Sequence, residues 1–241
     1  REDQVAPVRE QIAAYFPEAI VEKREAVLKQ AWERAGWSQV VIDFGLANEF
    51  MRPLRSFRNF GVDPLIAIAG ALSDIRAGEV GVVQVLFQAC RGAWTPCIMR
   101  AVSDGEGGSF FADAPDMVSL AKEKTSRPLC AAAIRVGAKC GTEERTKALA
   151  HALVRAVDQL ANPPSNDLIP LSNDGYDENA HEAALLSRTS CRSGMLLSTD
   201  ELVSLVHLPS ASVRVPKLER ERRKSKAAPP SVIGHSLVLG E

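Results

Sequence analysis

The stretches EVGVVQVLFQAC (79–90) and KTSRPLCAAAIRVGAK (124–139) decide the fold of this chain. Residues 79–90 are apolar on both faces of an extended strand, which is typical of a strand covered above and below. This pattern predicts a central position in the sheet. Residues 124–139 hold a second strand, and we expect these two to be the central strands of one sheet.

A helix is predicted on either side of this pair of strands. Asp63 and Pro64 form a favourable helix start, with Asp63 as N-cap and Pro64 at the first helical position, and an apolar stripe follows. The second helix begins with an acidic first turn after Thr142. Its apolar residues recur at helical spacing from Ala148 to Leu160. Each helix therefore presents one apolar face.

Two further strands complete the pattern. The first strand lies in either QVVIDFGLA (39–47) or MRPLRSFRNF (51–60). DLIPL (167–171) predicts a short edge strand, because Pro170 cannot donate to a ladder. The elements then follow the order β-α-β-β-α-β. We therefore predict an α+β fold with a ferredoxin-like split βαβ core, preceded by an N-terminal helical segment and followed by a C-terminal helical connector.

Changes in composition divide the chain into four parts: the N-terminal helical segment, the α+β core, the helical connector, and a basic linker with a first strand. Their ranges are 1–37, 38–175, 176–216 and 217–241. The core carries an insertion, 91–123, between its central strands. Its glycine-rich part SDGEGGS (103–109) predicts a flexible loop, and a short helix is expected at 116–123. Disorder or partner contact is most expected in this insertion.

Composition excludes several classes of protein. Hydrophobic residues make up 46% and charged residues 24% of the chain, and the net charge is −1, so no global field attracts nucleic acid or a membrane. The five cysteines form an odd set without a CxxC pair, which favours reduced thiols in a cytoplasmic protein. The sequence contains neither a signal peptide nor a long apolar stretch, so no membrane contact is expected.

No motif in the sequence predicts a catalytic, cofactor or metal site. A phosphate loop of the form G-x-x-x-x-G-K-[ST] and a G-x-S-x-G elbow are both absent. The histidines are scattered, and no cysteine or histidine pair has the short spacing of zinc ligands. Glu79 has no second acid at matching depth for acid–base chemistry. We therefore expect no catalytic residue, no bound cofactor or metal, and no enzymatic activity in this part of the protein.

The feature with the most marked electrostatic character is KLERERRKSKAAPP (217–230). A solvated linker explains this run, and the alternative is contact with the phosphate backbone of DNA. Such binding would be weak, non-specific and salt-dependent. The candidate DNA contacts are Lys217, Arg220, Arg222, Arg223, Lys224 and Lys226.

The order of three short motifs resembles a known family. DPL at 63–65, then GE at 78–79, then a strand with Gln84 resemble the region ahead of the motor in HerA/FtsK-type ATPases. The likeness is greatest to the conjugative DNA-transfer (TraG-like, type IV secretion) proteins. LLSTDELVSLVHLPSASVRVPKL (196–218) resembles their segment leading into the motor. IGHSLVLGE (233–241) resembles the strand that opens their nucleotide-binding core.

This resemblance implies a non-catalytic N-terminal domain of a ring-forming DNA-translocase ATPase, in conjugative transfer or phage defence. The motor would lie beyond Glu241, and ATP and Mg²⁺ would bind there. The implied partners are other copies of the chain, with a hexameric ring as the candidate assembly, and an effector protein such as a nuclease. DNA contact would be weak, and no membrane would be involved. A stand-alone protein-binding module without a motor is the alternative.

Overall fold

The structure is a computed structural model, and it describes residues 5–17, 21–92, 94–210 and 212–215. One compact unit comprises Ala26–Leu218. Helix α1 (Val5–Tyr15) belongs to a second unit and is described by itself. It lies within the N-terminal helical segment that is predicted at 1–37.

Seven α-helices lie in the described residues of the larger unit. They are α2 (Val27–Arg34), α3 (Leu65–Ser73), α4 (Trp94–Val102), α5 (Met117–Thr125), α6 (Glu143–Asp158), α7 (Glu178–Ser187) and α8 (Thr199–Leu202). The helices predicted after Asp63 and after Thr142 are α3 and α6, so both helices are confirmed. The start of α3 differs from the prediction by one residue, since Pro64 is the N-cap and the helix begins at Leu65, although the Asp63 carboxylate accepts the N–H of Leu65.

A five-stranded antiparallel sheet is the centre of the described fold. Its strands are β1 (Ser38–Leu46), β2 (Val80–Ala89), β3 (Leu129–Cys140), β4 (Leu168–Pro170) and β5 (Met195–Ser198). The strand order is β2-β3-β1-β4. Strand β3 pairs with β2 along one side. On its other side, the first residues of β3 pair with β5 and its last residues pair with β1. The predicted α+β class is therefore confirmed.

Alternation along β3 determines the main hydrophobic core. Every second side chain from Cys130 to Cys140 is buried in one cluster with residues of α3 and α6. From α6, Leu149 and Leu153 are 1% and 0% exposed. Burial of one such side chain contributes roughly 1.5–3 kcal/mol. This layer of helices on one face of the sheet is therefore the largest apolar contribution to stability.

The opposite face of the sheet is covered in part by α2 and α7. Trp32 is fully buried against Val41 of β1 and Leu185 of α7. Its indole Nε1 donates to Glu182 Oε1 at 2.6 Å, which satisfies the buried N–H. A Cβ at Gly137 of β3 would lie 2.9 Å from Leu185 and 3.2 Å from the Trp32 ring. Glycine at this position therefore gives the tryptophan room to pack on the sheet.

The insertion between β2 and β3 folds largely as two helices. α5 confirms the helix expected at 116–123, whereas α4 was not predicted. The two helices share a small core that includes Ile98 and Met117. The loop at 103–109 between them is closed by Asp104, whose carboxylate accepts two backbone N–H groups at 2.9 Å. The glycine-rich loop is therefore a short connection in an otherwise helical insertion.

The prediction that β2 is central in the sheet is wrong, because β2 lies at the edge beside β3. The reason is that both faces of this strand are covered. Val83 packs against the main core, and Val82 packs against the Trp32 cluster on the other face. An apolar pattern on both faces reports what lies above and below a strand. It does not show whether another strand pairs along the edge of that strand.

The first strand is β1, which selects the segment 39–47 over the segment 51–60. In the second segment the Ser56 hydroxyl accepts the N–H of Arg58, and a 3-10 helix follows at Phe57–Asn59. A local side-chain cap of this kind competes with an extended ladder. The alternation of apolar and polar residues there therefore produces a turn of helix.

The connector after the core contains α7, β5 and α8. Ser198 followed by Glu201 three residues later is the sequence pattern of a capping box, and the box is present. The Ser198 hydroxyl accepts the N–H of Glu201, and the Glu201 carboxylate accepts the N–H of Ser198. Strand β5, which directly precedes this box, was not predicted. No helix in the described ranges combines the length and the apolar character that crossing a membrane requires.

Candidate functional site

The β2 edge is the outer side of strand β2, which has no partner strand among the described residues. Cys90 donates its N–H to the Leu129 carbonyl oxygen at 3.0 Å, in register with the β2–β3 ladder. Hydrogen-bond direction alternates along a strand, so the even-numbered residues bond to β3. The odd-numbered residues then direct their N–H and C=O groups away from the sheet. They are Gly81, Val83, Val85, Phe87 and Ala89.

The sequence of β2 does not block this edge. The ten residues of Val80–Ala89 include no charged residue and no proline. The pairing with β3 continues through all ten without a bulge. Phe87 is 54% exposed. Proteins usually protect exposed edge strands with lysine, proline or bulges, because free backbone groups recruit another strand. The β2 edge is therefore a surface suited to strand pairing.

A buried polar cluster, called the Asp43 cluster below, lies between β1, β3 and α7. Asp43 stands directly opposite Arg135, and Arg135 Nε is 3.0 Å from Asp43 Oδ1. His181 Nε2 lies 2.7 Å from Asp43 Oδ2, and Arg192 Nε lies 3.6 Å from the same oxygen. Arg135 is 0% and His181 is 4% exposed. One carboxylate thus meets two guanidinium groups and an imidazole.

The Asp43 cluster fastens elements of the fold to one another. The Arg192 guanidinium lies 4.0 Å above the Tyr176 ring and donates to the Ser172 carbonyl oxygen at 2.8 Å. Nε and Nη1 of Arg135 are buried without an aligned hydrogen-bond acceptor, although Nε is close to Asp43. These contacts hold α7 and the segment around it against the sheet. We interpret the cluster as structural, since its charged groups lie in contact with one another between β1, β3 and α7.

Asp63, in the first motif of the family resemblance, joins the start of α3 to the connector. Its carboxylate accepts the N–H groups of Leu65 and Ser210, each at 2.8 Å, and lies 3.0 Å from His207 Nε2. Burial acts to raise the pKa of this carboxyl, but the hydrogen bonds from Ser210, Leu65 and His207 outweigh it and lower the pKa of Asp63 to about 2. The motif residue therefore has a structural role.

Glu79 and Gln84, in the other two motifs, also hold elements together. Both Glu79 carboxylate oxygens accept from the Arg145 guanidinium at 2.9 Å, and Arg145 also bonds Asp74 at 2.7 Å. These hydrogen bonds lower the pKa of Glu79 and of Asp74. Gln84 donates to the Leu185 carbonyl oxygen at 3.0 Å. Glu79 is thus occupied by an ion pair, and Gln84 ties β2 to α7.

A second buried ion pair joins the insertion to the connector. Lys124 Nζ lies 2.7 Å from Glu201 Oε1, and both side chains are buried. The same carboxylate accepts the N–H groups of Leu54 at 2.7 Å and Ser198 at 2.6 Å. Burial lowers the pKa of Lys124, and the charge of Glu201 opposes this shift. Three separate segments of chain, at Leu54, Lys124 and Ser198–Glu201, therefore meet at one carboxylate.

The remaining groups that could carry chemistry do not converge in the described part of the chain. No group of three or more His, Cys, Asp or Glu residues is placed there to hold a metal ion. Burial raises the pKa of the Cys130 and Cys140 thiols, which keeps them protonated near neutral pH. A surface cavity of about 260 Å³ is lined by Arg58, Arg127 and Asp200, whose charges already pair with one another.

The candidate DNA contacts lie outside the described residues, and so does the strand expected at 233–241. Their role stays a prediction from sequence. The contacts are Lys217, Arg220, Arg222, Arg223, Lys224 and Lys226.

Sequence reasoning missed the Asp43 cluster, although a signal for it is present. Asp43 interrupts the apolar run VVIDFGL, and Arg135 interrupts the apolar run AAIRVGA. A charge in a buried strand requires a partner on a neighbouring strand. The β2 edge was missed because β2 was expected to be central. In the comparisons with known proteins, no family, no curated protein and no solved structure matches this chain.

Proposed function

We propose that this chain is a non-catalytic assembly and docking domain of a ring-forming DNA translocase of the HerA/FtsK type. The β2 edge carries this proposal. It is an uncharged strand of ten residues with its outer backbone groups free of described partners. Such a strand favours association with another polypeptide. A site for a small substrate would instead need polar groups converging in a cleft.

The proposed core is a ferredoxin-like split βαβ. In that arrangement two βαβ halves interleave, so the first and third strands lie in the middle of an antiparallel sheet. The observed order β2-β3-β1-β4 agrees with it. The crossover helices α3 and α6 pack in the same core cluster on one face. Strand β5 is then an addition supplied by the connector.

The structural roles of the motif residues support the resemblance to pre-motor domains. Asp63, Glu79 and Gln84 each bond a distant element of the fold. A sequence signature made of such anchors is what relatives sharing a fold would keep, even when none of them acts in catalysis.

The proposed partners are other copies of the chain, with a hexamer as the candidate number, and an effector such as a nuclease. ATP and Mg²⁺ would bind only in the motor. DNA contact would be confined to the basic run 217–226 and would be weak. The setting is conjugative transfer or phage defence in the cytoplasm.

Native mass spectrometry and calorimetry test the proposal together. The chain should give one defined multimer without nucleotide, because its assembly surfaces do not include a nucleotide site. Titration with Mg-ATP should give no binding heat and no released phosphate. Micromolar ATP affinity with turnover would contradict the non-catalytic assignment, and monomers alone would contradict the assembly role.

A further inference from the structure

We propose that β2 pairs with β2 of a second copy of this chain, antiparallel across a two-fold axis at Val85. Two five-stranded sheets would then join into one continuous sheet. This inference rests on the assembly role in the proposed function and identifies the surface that carries it.

The backbone geometry sets the pairing. The outward-facing residues are the odd-numbered ones, so they form the hydrogen-bonded pairs with a second copy. An axis at Val85 places Val85 opposite its own equivalent, Val83 opposite Phe87, and Gly81 opposite Ala89. Each such pair exchanges two hydrogen bonds, so five pairs give about ten bonds between the copies. Every outward N–H and C=O of the strand then finds a partner.

The side chains are self-complementary in this register. Phe87 is 54% exposed, and across the axis it meets Val83, a combination of aromatic and β-branched residues that favours pairing. Gly81 and Ala89 are both small, so they do not hold the copies apart. On the other face of the sheet, Gln84 stands opposite Leu86. An exposed aromatic ring thereby gains an apolar neighbour.

Charge favours a second copy as the occupant. Val80–Ala89 carries no charge, so two identical strands oppose no like charges. At the ends of the pairing, Glu79 of one copy comes nearest to the exposed Arg91 of the other. A slip of two residues in one direction would place Arg91 beside Gly81. A slip in the other direction would place Glu79 beside Ala89. Glu79 is already paired with Arg145 in its own copy. The axis at Val85 is therefore the register that places neither Arg91 nor Glu79 opposite a residue of β2 in the other copy.

Sedimentation velocity of the whole chain tests the surface. The wild type should dimerise or form larger even-numbered assemblies, and Phe87→Lys should weaken association at least tenfold, because lysine protects an edge strand. The matched control is Phe110→Lys, an equally drastic change at a side chain that is 71% exposed in the insertion. It should leave association unchanged.

Amide hydrogen exchange of the wild type tests strand pairing at the β2 edge without any variant. Raising the protein concentration should protect the amides of residues 81, 83, 85, 87 and 89, while the even-numbered amides of β2 stay protected at every concentration. If the wild type associates but Phe87→Lys does not weaken it and the odd amides gain no protection, strand pairing at β2 is overturned and the assembly role survives through another surface. A wild type that stays monomeric at high micromolar concentration overturns both.

Discussion

Arg135 Nε lies 3.0 Å from Asp43 Oδ1, at the point where β1 and β3 bring the two residues directly opposite each other. Both side chains are buried, and Asp43 is also in contact with His181. A buried pair of this kind adds little net stability over an apolar pair, but loss of one member leaves an uncompensated charge. The Asp43 cluster is therefore a point where single substitutions are costly.

Asp43→Asn should lower the free energy of unfolding by about 3–5 kcal/mol, because Arg135 remains buried without its carboxylate. Urea unfolding followed by circular dichroism measures this. Asp113→Asn, at an exposed position, is the matched control and should change stability by less than about 0.5 kcal/mol. Adding Arg135→Met to Asp43→Asn should restore part of the loss. Equal urea midpoints for wild type and Asp43→Asn would show that the cluster carries no such cost.

Lys124→Met should destabilise the fold by about 3–5 kcal/mol, because it leaves the Glu201 carboxylate buried without a counter-charge. Lys122→Met is the control, since Lys122 is an exposed lysine on the same helix. Thermal and urea unfolding of the two variants compare the same chemical change at a buried and at an exposed position of α5. Identical stabilities would contradict the role assigned to this ion pair.

The fall in the free energy of unfolding at acid pH should depend on Asp63. Its folded pKa of about 2 lies below the unfolded value of 3.8, so its contribution is complete above about pH 4 and is lost as pH falls through 2. The difference corresponds to about 2 kcal/mol. Asp63→Asn should therefore be less stable than wild type at pH 6, and the gap should narrow steadily towards pH 2. A gap that does not change with pH would contradict this assignment.

DNA affinity should reside in the basic run, because the rest of the chain carries a net negative charge. Binding to duplex DNA should be weak, with a Kd of roughly tens to hundreds of micromolar at physiological salt, and should fall steeply as salt rises. Replacement of Arg220, Arg222, Arg223 and Lys224 by alanine should abolish it without a change in the circular dichroism spectrum. Fluorescence anisotropy at two salt concentrations measures this. Undiminished binding by the quadruple variant would place the DNA site in the folded unit.

The sequence could predict the elements whose signals are local. Thr142 and the apolar stripe after it define α6, and the Ser198–Glu201 capping box defines the start of α8. Strand β5 has four residues and exists through its pairing with β3, so a local pattern does not reveal it. The edge position of β2 was not predicted, because α3, α6 and the Trp32 cluster cover its two faces and give it the apolar pattern of a central strand.

The Asp43 cluster and the β2 edge were less predictable than the fold. The closeness of Asp43 and Arg135 depends on the register between β1 and β3, which sequence alone does not give. The β2 edge becomes visible only when the strand order is known. By contrast, the absence of a phosphate loop is readable directly from the sequence.

Sedimentation equilibrium of the wild-type chain between about 1 and 100 µM tests whether this chain is an assembly domain. An assembly domain with an open β2 edge should show a weight-average mass that rises with concentration to a defined multiple of 26.0 kDa. Addition of Mg-ATP should not change it. A mass that stays at the monomer value across the whole range would show that the chain does not act as an assembly domain.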